Sequence, residues 1–159
     1  VIDRILSQDI EGRLISEAPE IVLGVDDLRA VDVVGRFAAL FYFGVGQGGG
    51  YSADCAIALQ ISPGAWRETN SGGTFGVGLE VPFRPSRQEF GGHCLSTFIS
   101  TGMELPDDED NMVMVHGVGG FATPEVRSIR VRSRREERTV PMESPSGAFV
   151  VVVLGGGEC

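Results

Sequence analysis

Four sets of residues in this chain have the types and spacing from which chemistry is built. In FGVGQGGG, Phe43 to Gly50, the residues Gly44, Gly46 and Gly49 satisfy G-x-G-x-x-G, and the apolar run from Phe37 precedes them as the first strand of a dinucleotide-binding unit would. That chemistry needs a helix directly after the glycines, whose first N–H groups face the pyrophosphate, and a carboxylate about twenty positions on. Glu68 stands near that distance, and SGGTFGVG, Ser71 to Gly78, offers a second glycine-rich loop. Yet the segment in the helix position is YSADCAIALQIS, stopped by Pro63 and Gly64, with no sustained amphipathic helix anywhere between strands. A hairpin connection is the better reading of the glycines, and no cofactor is expected.

The second set is acidic. ELPDDEDN, Glu104 to Asn111, alternates Asp107, Glu109 and Asn111 like the opening of an EF-hand loop, but Met112 stands where the sixth residue must be Gly and Val118 where the twelfth must be Glu. It reads as a solvated acidic loop, and no metal is expected. The third set is His93, Cys94 and His116. These are the only histidines, and adjacent residues on a strand point to opposite faces, which separates Cys94 from His93. With no G-x-S-x-G elbow, no catalytic residue is assigned. A small hydrolase using His116 with a nearby Ser or Asp is the alternative function, and a nucleotide-binding fragment using the loops at 44–50 and 72–78 a second.

The fourth set is RSIRVRSRREER, which holds six of the thirteen Arg between Arg127 and Arg138 in a chain with no Lys. On a strand and turn, Arg127, Arg130, Arg132, Arg134 and Arg135 form a basic face, with Glu136 and Glu137 to pair some of the charge. The wet side of a sheet is the plain account; a specific acidic protein or cell-envelope partner is the sharper one. Twenty-two acidic residues bring the net charge to −9, which excludes sequence-independent binding to nucleic acid or to anionic membranes. No apolar stretch approaches the ~20 residues of a bilayer span, so a membrane is reached only through an anchor outside this chain.

These residues must be positioned by elements that the texture of the chain suggests. Ile2, Ile5, Leu6, Ile10 and Leu14 recur at helical spacing, so residues 1–28 are read as an N-terminal helix or arm and linker. From there short apolar runs alternate with Gly, Pro, Asp and Ser, the pattern of an all-β domain over 29–155, with a tail at 156–159. Strands are expected at Arg36 to Val45 and Cys55 to Ile61, joined as a long hairpin, and at Val113 to Val118, Val126 to Val131 and Thr139 to Met142. A last strand, Ala148 to Leu154, has four consecutive Val and is expected at the centre of a sheet. Ser62 to Gly92 reads as mostly loop, with one possible strand at Gly76 to Val81, and this loop shares with the Arg face the role of candidate binding surface.

Cys55 opens a strand and Cys94 follows the long loop. A Cys55–Cys94 disulfide is the economical reading, worth ~4 kcal/mol in the chain-entropy model, with two free thiols as the alternative and Cys159 left over.

The C-terminal third adds a resemblance. His116-Gly117 ending a hydrophobic strand, Pro124 and Val126 leading an alternating one, the polar hairpin Arg132 to Arg138 and the closing Gly147 to Val153 are similar to extracytoplasmic β-domains of secreted or membrane-anchored actinobacterial proteins. Gly48 to Cys55, with Cys94 downstream, matches their cysteine-led strand after a glycine-rich turn; the stretch Ser62 to Phe90 and the missing Asp-Gly near Arg134 depart from the pattern. The resemblance implies an oxidising compartment and a binding or structural role. Taken together, the expectation is an antiparallel β-sandwich of about seven to nine short strands with a short N-terminal helix or arm, acting as a non-catalytic extracytoplasmic interaction or structural module.

Overall fold

The computed structural model describes residues 27–45, 51–75 and 94–155. Among them there are nine strands and no α-helix: β1 (Leu28–Val34), β2 (Phe37–Val45), β3 (Tyr51–Ser62), β4 (Ala65–Phe75), β5 (Leu95–Pro106), β6 (Met112–Ala122), β7 (Ser128–Arg132), β8 (Glu137–Pro141) and β9 (Ala148–Leu154). All neighbouring strands pair antiparallel. β1 to β4 form one sheet in chain order, β5, β6 and β9 a second, and β7 with β8 a separate hairpin. The fold is the all-β sandwich that the sequence suggested. The helix expected near the N-terminus, the tail at 156–159 and the strand expected at 76–81 lie outside the described residues.

The long hairpin is present as β2 and β3, paired from Phe37↔Leu59 to Val45↔Tyr51. Phe37, Ala39, Phe41 and Phe43, with Ile57, Cys55 and Ala53, face the second sheet, while Ala38, Leu40, Ala56 and Ala58 are buried on the other face beside Val31, Val33 and Trp66. Burial on both faces explains why these strands read as continuous apolar runs instead of alternating ones. The opposing sheet comes close because β6 carries glycine at the contact. A Cβ on Gly117 would lie 3.0 Å from the Cys55 sulfur and from Ile57 Cδ1, and one on Gly119 would lie 2.8 Å from the Phe41 ring. Past them Phe121 fills the gap edge-on to Phe41 and Phe43, with ring centroids 5.5 and 5.0 Å away.

Two expectations about elements need correction. Within the segment read as loop, Ala65–Phe75 is β4, laddered to β3 from Ser62↔Ala65 to Ser52↔Phe75. Its polar sequence, AWRETNSGGTF, forms a strand because it lies at a sheet edge and its backbone bonds do not require an apolar pattern. Pro63-Gly64 is the tight turn between β3 and β4, with Gly64 at φ +79° as the third residue of such a turn requires.

The second correction concerns β9, which is not central but lies at the edge of its sheet. It is buried nonetheless, because Ala148, Val150 and Val152 join the core between the sheets while Phe149, Val151 and Val153 pack on Ile129, Val131, Val140 and Met142 of the β7–β8 hairpin. Four consecutive Val report burial on two faces. They do not report the number of hydrogen-bonded neighbours.

Candidate functional site

The β7–β8 hairpin is built by alternation. Ile129, Val131 and Val140 face inward onto β9, so Arg130 and Arg132 on β7, with Thr139 and Glu137 on β8, must face solvent. The turn is closed by Ser133, whose N–H donates to Glu136 O at 2.8 Å and whose hydroxyl accepts from Arg135 N and Glu136 N at 3.2 and 3.0 Å. The same hydroxyl donates to Leu154 O at 2.8 Å, and Glu136 Oε1 accepts from Leu154 N at 2.5 Å. The turn is thereby tied to the end of β9.

Arg138 shares the face of Val140 and Val131 and so points inward by the same alternation. Its guanidinium forms an ion pair with Asp32 of β1 and donates to Val152 O at 2.6 Å, while Asp32 Oδ2 accepts from Val152 N at 2.8 Å. One carboxylate and one guanidinium thus close the outward backbone groups of Val152 as a neighbouring strand would. Their exposures of 14% and 22% keep the pair largely out of water. The sequence reading did not single out Asp32, yet LRAVDVV carries the signal: a lone carboxylate inside an apolar strand requires a cation.

With Arg138 engaged, the other five Arg named from the sequence lie on the outer side. Arg127, Arg130, Arg132, Arg134 and Arg135 are all exposed. Glu137 bridges two of them, to Arg132 Nη2 at 2.6 Å and Arg130 Nε at 3.7 Å. No ion pair joins Arg127, Arg134 or Arg135 to a described residue. The structure therefore brings all five proposed residues onto one hairpin and its flanks, with one carboxylate among them.

The remaining candidates separate. Cys55 and Cys94 are both free, which overturns the expected disulfide. Cys55 lies across from Gly117, whereas the Cys94 carbonyl accepts from Thr123 N at 2.9 Å, six residues further along and just past the end of β6. At about 3.3 Å per residue that offset is roughly 20 Å, far beyond the ~7 Å that a disulfide spans between Cα atoms. Burial, with Asp54 second, pushes the Cys55 thiol pKa far up.

After the glycines at 44–50, of which residues 46–50 lie outside the described set, the chain enters strand β3. The helix N-terminus that a pyrophosphate needs is replaced by a ladder. His116 packs its ring over the backbone of Gly102, and its Nε2 is buried with no hydrogen-bond partner among the described residues. Asp107 Oδ1 accepts from Glu109 N and Asn111 N at 2.8 and 2.9 Å, an oxygen spent on shaping its own loop. Among the described residues no three His, Cys, Asp or Glu side chains converge as metal ligands. No helix among them is long and apolar enough to cross a membrane.

With this geometry in view, comparison with known proteins gives no family model, no curated protein and no solved structure that matches the chain.

Proposed function

We propose that this chain is a non-catalytic interaction module that holds an acidic protein or cell-envelope partner on the outer face of the β7–β8 hairpin. One observation carries the reading: five exposed Arg, with a single carboxylate between two of them, stand on a firmly anchored hairpin of a protein whose net charge is −9. The net negative charge repels polyanions at long range while the local patch attracts an acidic surface at contact, which favours selectivity over raw affinity. The hairpin's tethers at Ser133, Glu136 and Arg138 fix the backbone that carries these Arg against β9.

An extracytoplasmic setting is part of the proposal. It rests on the resemblance over roughly residues 30–155 and has no support from a disulfide. Fractionation of cells expressing the full gene product tests it, and retention of the whole protein in the cytosol would refute it.

The binding test uses poly-L-glutamate as the acidic probe and a variant carrying Arg130→Glu, Arg132→Glu, Arg134→Glu and Arg135→Glu. The parent should bind the probe at moderate salt and release it at high salt, and the variant should not bind while keeping its thermal midpoint. Equal binding by the two proteins sinks the assignment.

A further inference from the structure

The seam between β1 and β9 is closed at one end and open at the other. The two strands run side by side in the same direction: β6 follows β2, with Gly117 against Ala39 and Gly119 against Phe41, each of β1 and β9 is antiparallel to its own neighbour in that pair, and Asp32 meets Val152. Along β9, every second residue turns its N–H and C=O away from β6, and Leu154, Val152 and Val150 belong to that set. Side chains close the first two: Glu136 and Ser133 for Leu154, Asp32 and Arg138 for Val152.

Val150 has no such closure among the described residues. On β1 the two-residue turn makes Val34↔Phe37 a closing pair, so Val34 and Asp32 bond to β2 and Val31 faces outward. Between residues 29–32 and 148–150 lies a cleft of about 470 Å3, walled on its far side by residues 140–145. Its volume is that of a ligand site, and both strand edges along it have unclosed backbone groups.

We infer that this cleft accepts an extended peptide segment of a partner protein, added as a short strand beside β9. The segment runs antiparallel to β1 and β9, hydrogen-bonds to the outward groups of Val150 and Val31, and stops at the Asp32–Arg138 pair. Ala30, Val140, Met142 and Ala148 line the walls and receive its alternate apolar side chains. Charge fixes the chemistry further. Arg29 uses Nε on Phe43 O at 3.0 Å and forms no ion pair among the described residues, so its terminal nitrogens are left for a carboxylate. Glu143 on the opposite wall repels a second one. The occupant is a neutral, β-branched segment with one carboxylate at the end that leaves past Arg29.

The test uses 15N-labelled protein and three probes: acetyl-Thr-Val-Thr-Val-Glu-amide, the same peptide ending in Lys, and the Glu peptide N-methylated at alternate amides. In the free protein the Val150 amide should exchange faster than its neighbours Val151 and Val152, and the Glu peptide should shift and slow it. The Lys peptide should bind about threefold more weakly, as should the Glu peptide to Arg29→Gln, since a rim charge is worth little. N-methylation should weaken binding about tenfold by removing backbone bonds. A Val150 amide already protected in the free protein, or a methylated peptide that binds equally well, overturns the inference. Reversing charge at Arg130, Arg132, Arg134 and Arg135 should leave these results unchanged, so this site stands or falls apart from the Arg face.

Discussion

The Cys55 thiol sits against Gly117 in the core, and its burial together with the Asp54 carboxylate keeps it protonated at any ordinary pH. Iodoacetamide should therefore label Cys94 in the native protein and Cys55 only after unfolding, read by peptide mass; a Cys55–Cys94 linked peptide would refute the free-thiol geometry. Asp107 is the opposite case. Its carboxyl is held below the usual 3.8, first by the Glu109 N–H and also by that of Asn111. A carboxyl with a lower pKa folded than unfolded contributes its stability above the ordinary Asp range and loses it as pH falls through the lowered value. Carboxyl-carbon NMR should show Asp107 titrating below 3.8, and a midpoint at or above that value would remove the loop's two N–H bonds from the account. Gly117 is tested by size: Gly117→Val forces methyls into Cys55 and Ile57 and should cost about 1–3 kcal/mol in urea unfolding.

Among the elements, the side-chain closure of β9 makes the sharpest prediction. Asp32→Ala strands Arg138 and opens the N–H of Val152, and should cost about 2–3 kcal/mol, below the range for a fully buried pair because both side chains keep some exposure. A double-mutant cycle with Arg138→Ala should return a coupling of about 1–2 kcal/mol; additive losses would mean that the two residues act separately. The same strand shows what a sequence discloses about a sheet. The boundaries of β9, the β2–β3 hairpin and the outward Arg of β7 were legible, since each rests on local alternation or on β-branching. β4 was illegible because an edge strand bonds through its backbone and need not be apolar. The disulfide failed for a related reason. Cysteine spacing along the chain does not contain the offset between strand levels, which register alone sets at Gly117 and Thr123. Asp32 could have been suspected in its apolar strand, but nothing local names Arg138 as its partner.

Over the whole molecule, charge is arranged against its own sum. A protein of −9 that carries five exposed Arg on one hairpin should bind an acidic probe faster at moderate salt than in very dilute buffer, where its long-range field opposes approach, and should lose affinity again at high salt. A monotonic salt dependence of the association rate would show that the patch does not act against that field. The Asp32–Val152 bond also has a temporal meaning. It joins residues 120 positions apart, and closing so long a loop is easier once the strands between them are in place, which puts this bond late in folding. Contacts absent from the folding transition state govern how long the native state lasts, not how quickly it is reached. Asp32→Ala should thus shorten the lifetime of the folded protein while leaving its refolding rate almost untouched. The seam would then act as a latch, the last part of the sandwich to shut and the first to release.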